Sequence, residues 1–370
     1  MRFLVVSHAA HFAREGKWYS YGPLVKEMVL WEKCVDQMEI FAPVVPSNED
    51  AINLPYRADS TFVNESPSLD FTSLGEAAKS AVKLPWIVVK MWVAMWFADH
   101  IHLRCPGNLA LVGCLLQVFF PWKKKTVKYA GNWDAKSAQP KTYKLQQWII
   151  NQPWLSRNMT VLVYGDWAHS SSNVRPFFTA SYQEADFAPV EKSPVSEGIK
   201  LVYVGGLVSG KNPMMSLQAL KLLVDAGHDA RLVFCGEGAE RKALEAFVAL
   251  HGLDSRVLLR GNVSAQEVKQ ELVEAHFLVF LSDSEGWPKV VAEAMSWSCI
   301  PITTAVSCVP EMVGRGRRGV LVDKEPTQIV EAILAINRHP QKLRQMQEEA
   351  RDWARQFTLE RFAAEIEKLV

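Results

Sequence analysis

No stretch of the 370 residues reaches eighteen uninterrupted apolar positions, so a membrane span is not expected. The six cysteines (34, 105, 114, 235, 299 and 308) lie far apart, with no C-x-x-C and no paired histidine spacing. A metal site or disulfide framework is therefore not expected, and a reducing, cytoplasmic setting fits better. Internal repeats and low-complexity segments are missing too. A net charge of only +1 gives no reason to expect a nucleic-acid partner. "CGEGAER" (235–241) is not G-x-G-x-x-G, which makes a simple dinucleotide dehydrogenase a poor fit. The short apolar run in "MRFLVVSHAA" reads as a first β-strand rather than a signal peptide.

What is present is ordinary for a globular chain, 49% hydrophobic and 22% charged, and long enough for two hydrophobic cores. The charge is uneven, +5 over residues 1–180 and −4 over 181–370. Ten of the thirteen tryptophans also fall in the first half, in stretches such as "LPWIVVKMWVAMWF" (84–97) and "LALVGCLLQVFFPWKKK" (109–125). A basic, tryptophan-rich half suggests a face for anionic lipid or a phosphate-bearing substrate. Buried core tryptophans beside a solvated lysine run would give the same composition.

Strands and helices alternate clearly after residue 200: "KLVYVGG" (200–206), "ARLVFCG" (230–236), "RVLLRG" (256–261), "HFLVFLS" (276–282), "CIPITT" (299–304) and "RGVLVD" (318–323) read as strands with helices between. Their continuous apolar runs predict a parallel sheet covered on both faces. The first half has the same style, with strands at 2–7, 37–44, 100–105, 125–131 and 160–165. The fold class expected is α/β, two doubly wound domains facing a central cleft: residues 1–180, a polar linker over 181–199, and 200–340, with terminal helices over 341–370.

"SDSEGWPKVVAEAM" (282–295) carries the most chemistry. A strand feeds a turn at Ser284 to Trp287, and Pro288 suits the first position of a helix over about 288–298. Free amides at Lys289, Val290 and Val291 would form a phosphate site at the helix N-terminus. Glu293 lies roughly 7.5 Å along the axis and leans back towards that end, within reach of ribose hydroxyls. Glu285 stands on the loop at the other side of the phosphates. Two glutamates at this spacing, taken alone, are more often a helix-end carboxylate and a surface acid. Three neighbouring glycine turns strengthen the reading: Gly205-Gly206 with Lys211 beyond, Gly236, and Gly261-Asn262-Val263, where a base could lie.

Together these motifs resemble family 4 of the retaining nucleotide-sugar glycosyltransferases, which have the GT-B fold. The resemblance covers residues 200 to about 323 well and is weaker over the first 180. It implies that Glu285 and Glu293 form the family's E-x(7)-E pair, with Glu293 on the ribose and Glu285 at the donor sugar or reacting centre. Lys211 matches a diphosphate-binding lysine. Glu285 and Lys211 are thus the expected catalytic groups. The expected donor contacts are Gly205, Gly206, Lys211, Gly236, Asn262, Val263, Glu285, Gly286, Trp287, Pro288, Lys289, Val290 and Glu293. Two positions depart from the family. Gly206 stands where an arginine is usual, with Lys289 as a substitute, and Gly131-Asn132-Trp133-Asp134 stands where a histidine is usual. Acceptor-side candidates are Gly16 in the loop 8–23, Asn132, Asp134 and His102, the last as easily a structural residue. His8 and His11, in the same loop, are also more easily structural. No metal or other cofactor is expected, because the cationic groups would stabilise the leaving diphosphate and no D-x-D stands at a strand end.

The expected partners are a nucleotide-sugar donor and a glycan or lipid-linked acceptor, with peripheral contact to an anionic membrane. Two rival readings stay open at this point. One is a nucleotide-sugar 2-epimerase of the same architecture, and the other a degenerate, non-catalytic nucleotide-sugar-binding domain.

Overall fold

The computed structural model describes residues 1–46, 53–56, 60–71 and 73–370. It divides into one unit of residues 1–178 with 362–370 and a second of residues 179–361.

In the first unit β1 (Arg2–Val6) is followed by a hairpin, β2 (His11–Arg14) and β3 (Lys17–Tyr21), then α1 (Gly22–Glu32), β4 (Gln37–Pro43), β5 (Asn53–Pro55) and β6 (Thr61–Ser66). Next come α2 (Leu74–Phe97), β7 (His100–Cys105), α3 (Asn108–Leu116), β8 (Lys124–Tyr129), α4 (Lys141–Ile150), β9 (Met159–Tyr164) and β10 (Val174–Phe177). Seven strands make one parallel sheet in the order β10-β9-β8-β7-β1-β4-β6. The chain therefore reverses its direction of travel across the sheet between β1 and β7. The loop over 8–23, expected as a glycine loop, is instead the β2–β3 hairpin, which pairs with β5. Gly16 is an exposed tip residue there: Glu15 and Gly16 hold φ of 52° and 74°, the paired positive values a two-residue hairpin turn requires.

The stretch quoted at 84–97 is the later part of α2. This 24-residue helix is capped by Ser73, whose side chain accepts from the Glu76 amide at 3.2 Å, and it runs through Pro85. By length and composition it is apolar enough to cross a membrane, which the uninterrupted-run criterion missed because lysines break the run. One face of it, with Ile87, Met91, Ala94 and Met95, lies in the core of the sheet.

His102, expected on the acceptor side, is a core residue, with no exposed surface. Its Nδ1 lies 2.8 Å from the Thr126 hydroxyl, and Nε2 of the equally buried His100 lies 3.0 Å from the same oxygen. A hydroxyl can donate to one ring and accept from the other, so Thr126 serves two neutral imidazoles. Phe3 and Trp31 pack on the His102 ring. His11 is likewise held, between the Ala9 carbonyl and the Tyr56 hydroxyl.

In the second unit β11 (Ile199–Val204), α5 (Pro213–Asp225), β12 (Ala230–Cys235), α6 (Arg241–Leu250), β13 (Val257–Gly261) and α7 (Ala265–Glu274) come first. They are followed by β14 (Phe277–Phe280), α8 (Lys289–Ser296), β15 (Ile300–Thr303), α9 (Val309–Met312), β16 (Val320–Leu321), α10 (Pro326–Asn337), α11 (Pro340–Ala354) and α12 (Leu359–Glu367). The sheet runs β13-β12-β11-β14-β15-β16, all parallel, with its reversal between β11 and β14. β14 and β15 are buried along their whole length, as helices on both faces require. The segment expected as a linker over 181–199 lies in this unit and carries two 3₁₀ turns, Glu184–Asp186 and Val195–Glu197. Of the terminal helices expected over 341–370, α11 also belongs here, whereas α12 from Phe362 onward belongs to the first unit. There Phe362 packs on Phe177 and Phe178.

The carboxyl ends of β11, β12 and β13 touch through bare backbone. The Gly205 amide donates to Cys235 O at 3.0 Å and the Gly236 amide to Gly261 O at 2.8 Å. A Cβ on Gly236, at φ 147°, would stand 1.9 Å from the Gly205 carbonyl oxygen. Gly236 was expected as a donor contact; its glycine is demanded by strand packing.

Two outcomes are expected. Gly236→Ala should lower the unfolding free energy by on the order of 3 kcal/mol or more in urea titrations, and a change within about 0.5 kcal/mol would contradict the close approach. Burial holds His11, His100 and His276 at a pKa of about 4. The unfolded chain therefore binds protons between about pH 6.5 and 4 that the folded chain refuses, and stability, complete above 6.5, falls as the solution is acidified through that window. His100→Gln should reduce proton uptake on unfolding at pH 5 by about one proton; unchanged uptake would mean that His100 titrates normally in the fold.

Candidate functional site

In a doubly wound sheet a ligand crevice opens outside the carboxyl ends of the strands where the order reverses. In the second unit that point lies between β11 and β14. After β11 the chain passes Gly205-Gly206, makes a 3₁₀ turn at Ser209–Lys211 and enters α5 through Asn212, which holds a left-handed φ of 50°. After β14 it reaches Asp283 and Glu285.

Asn212 ties the two loops together. Its side-chain amide donates to Leu281 O and to Asp283 Oδ1, each at 2.8 Å, while the Asp283 amide donates to Gly210 O at 2.9 Å. Lys324 Nζ donates to the same Asp283 oxygen at 2.7 Å and is the main reason that carboxyl is held below its ordinary pKa. This clip sets Lys211 Nζ 2.9 Å from Glu285 Oε1. The Lys211 ammonium also lies 5.3 Å from the centre of the Phe280 ring. Both expected catalytic groups therefore meet at the reversal point, half-buried and paired. Tyr203 supports the glycine turn from below, donating its hydroxyl to Gly206 O at 2.8 Å.

The turn 284–287 is held by the loop after β15: Ser307 Oγ lies 3.0 Å and Cys308 Sγ 3.2 Å from Gly286 O, both as donors. Trp287, expected at the donor, packs into an aromatic cluster. Its ring stacks on Trp353 of α11 at 6.2 Å and meets Phe357 edge-on at 5.4 Å. Pro288 is not the first helical residue but the cap of α8, with ψ 94°, and it is buried. The Val291 amide donates back to the Pro288 carbonyl at 3.0 Å, so the expected row of three free amides at 289–291 loses that member.

Glu293 has a partner that its sequence context did not reveal. Its Oε1 accepts from Ser181 Oγ at 2.5 Å, and it lines a narrow crevice with Thr179, Tyr182, Lys289 and Trp287. Burial, and then the Glu293 carboxylate, push the Tyr182 phenol up. Ser181 was read as part of a polar connector, and nothing in its local pattern marks it; only the fold brings it 112 positions across the sequence to Glu293. Val290 stands half-buried at the start of α8; beyond β13, Asn262 is exposed and Val263 half-buried. The sheet order sets the ends of β13, β12, β11 and β14 side by side, so all four expected donor loops share one edge.

The first unit resolves the other candidates. Asn132 is buried and builds a turn: its Oδ1 accepts from the Asp134 amide at 2.9 Å, and its carbonyl accepts from the Gln139 and Gln147 side chains at 2.8 and 2.9 Å. Asp134 Oδ1 accepts from the Lys136 amide at 2.9 Å. Both side chains are thus engaged in shaping the loop after β8 rather than presented to a ligand. A Cβ at Gly131 would lie 3.1 Å from Pro106 and 3.2 Å from the Tyr129 ring, a tight fit that those side chains would have to yield to. The reversal point of this sheet, between β1 and β7, is flanked instead by His8 and Gly107. A Cβ on Gly107 would lie 2.6 Å from His8 Nδ1. That exposed histidine stands at the strand end where the topology places a ligand, and its position after the first strand was the signal for it.

Residues 186–353 match the family described as glycosyl transferases group 1. An uncharacterized glycosyltransferase of Methanocaldococcus jannaschii is 29% identical over 169 residues, 45% of this chain and 46% of that protein. A phosphatidylinositol N-acetylglucosaminyltransferase component of Arabidopsis thaliana is 28% identical over 149 residues, 40% of this chain and 33% of that one. The chain thus spans less than half the length of these curated relatives. Among solved structures, Anabaena HepE in complex with UDP and glucose aligns over 99% of this chain and 98% of its own, with a TM-score of 0.67. At 15% identity that likeness is one of fold. Residues 186–353 are thus similar to the glycosyl transferases group 1, and the whole chain has the GT-B fold it shares with HepE.

Proposed function

We propose that the protein is a retaining, family 4 hexosyltransferase that moves a sugar from a nucleotide-diphosphate sugar to a hydroxyl of a lipid-linked or cell-envelope glycan. It would work in the cytoplasm, peripheral on the inner membrane face. The observation that carries this is the Lys211–Glu285 pair, 2.9 Å apart at the reversal point of the sheet and inside the matched region. HepE, which has the same fold, is known with UDP and glucose, and the Arabidopsis relative's name places a lipid at its acceptor side.

In this reading the bond from the anomeric carbon to the diphosphate oxygen breaks while the acceptor oxygen bonds to the same face of that carbon, and the acceptor proton passes to the departing diphosphate. Lys211 and Lys289 stabilise the leaving charge, so no metal is required. Glu285 orients Lys211 and faces the transferred sugar. Glu293, set at the other end of the motif, holds the ribose.

Four nucleotide-sugar classes, carrying UDP, GDP, ADP or dTDP, can be ranked by thermal shift. Glu293→Ala should weaken the best of them about 10- to 100-fold, the loss expected for a hydrogen bond to a charged group. Glu285→Ala should lower kcat about 100- to 1,000-fold with nucleotide affinity little changed. The reverse pattern would exchange the two roles. Chelation with EDTA should leave turnover unaltered; abolition would show that a metal supplies the charge assigned to the lysines. Conversion of a donor into its isomer without acceptor would overturn transfer in favour of epimerisation.

A further inference from the structure

α2 has two apolar faces, and only one is used by the core. Val82, Trp86, Val89, Val93, Trp96 and Phe97 recur at spacings of three and four, and each is about half or more exposed. At 3.6 residues per turn this stripe lies roughly 160° around the helix from the buried stripe of Ile87, Met91, Ala94 and Met95. Such a helix cannot span a bilayer, because its second face is fixed on the protein's own sheet. The exposed stripe continues past the helix end: Trp96 meets the half-exposed ring of Trp122 at 6.5 Å, and Phe119 stands beside it, 60% exposed, against Trp92.

Charge follows the same surface. The helix carries Lys79, Lys83 and Lys90 against one acid, Glu76, which pairs with Lys79 at 2.7 Å in the first turns and leaves Lys83 and Lys90 without an acid on the helix. The three fall within about 40° of one another, along one flank of the apolar stripe. Lys90 lies over the Trp86 ring at 4.6 Å. Trp122 and Lys124 also line a cavity of about 430 Å³, with Arg175 and no carboxylate among its lining residues; Lys125 borders it too, but its ammonium is engaged by the Gln117 and Phe120 carbonyls.

We propose that α2's outer stripe, with Phe119 and Trp122, is an interfacial docking surface for an anionic lipid bilayer, the helix lying in the membrane plane. The tryptophans sit at the level where an apolar ring can keep a polar edge wet, and the lysine flank and the basic cavity meet headgroup phosphates. The proposal names the partner that a lipid-linked acceptor requires and rests on that reading for its purpose, while the surface itself is read from α2. A second copy of the chain is a poorer occupant, since its lysine flank would face its like.

The test is co-sedimentation of the full chain with vesicles of equal parts phosphatidylglycerol and phosphatidylcholine at low salt, with nucleotide thermal shift read on the same samples. The wild type should bind, lose binding at high salt, and bind phosphatidylcholine alone far more weakly. Val89→Glu with Val93→Glu should cut partitioning at least about tenfold, while the melting temperature and the nucleotide response stay at wild-type values. Lys83→Gln with Lys124→Gln should weaken binding to the anionic vesicles and flatten its salt dependence. Wild-type protein left in the supernatant at low salt overturns the proposal, as does undiminished binding by the glutamate variant. Self-association of the wild type that the glutamate variant abolishes, with vesicles ignored, assigns the face to a second copy and overturns it too. In each case an intact nucleotide response leaves the glycosyltransferase reading standing, and vesicle binding without any nucleotide response removes that reading alone.

Discussion

The geometry at the reversal point of the second sheet depends on one side-chain amide. Neighbouring parallel strands share no tight turn, so nothing in β11 or β14 itself fixes how their following loops meet. Asn212 does this by donating to Leu281 O and Asp283 Oδ1, with the Asp283 amide returning a bond to Gly210 O. The left-handed φ at Asn212 is what turns its side chain across the gap, and asparagine tolerates that conformation better than most residues. Lys211 is the residue before it, and Glu285 lies two beyond Asp283. The ion pair is therefore a consequence of the clip, and the strained residue stands at the entry of the helix that follows it.

Bare backbone plays the corresponding part between β11, β12 and β13. Gly205, Gly236 and Gly261 bring three strand ends together without intervening side chains. A glycine turn at a strand end can signal a ligand approaching the backbone or another strand doing so, and the two leave the same mark in a sequence. At Gly236 the neighbour is the chain itself.

That ambiguity describes what was legible. Parallel α/β architecture could be read because continuous apolar strands and capped helices are local patterns; the Ser264 capping box appears as written, with Glu267 Oε2 accepting from the Ser264 amide at 2.9 Å. Elements lacking such patterns escaped. β6 reads "TFVNES", four of its six residues polar, and β10 reads "VRPF", with a proline in an edge strand. In the site, the E-x(7)-E spacing could be read because both glutamates sit in one segment. Ser181, Asn212 and the Ser307–Gly286 bond could not, since each joins residues distant in sequence. His102 misled because a strand histidine looks the same whether it faces a ligand or shares a hydroxyl with His100.

The Trp287–Trp353 stack has a consequence for how the chain tolerates change. The turn between the two motif glutamates rests on a ring supplied by α11, sixty-six positions later. Chain length and motif order are thereby linked: shortening the protein from its C-terminal end would strip Trp353 and Phe357 from beneath the turn while leaving every motif residue in place. A fragment ending after β16 would keep the motif's letters and lose the surface they are set against.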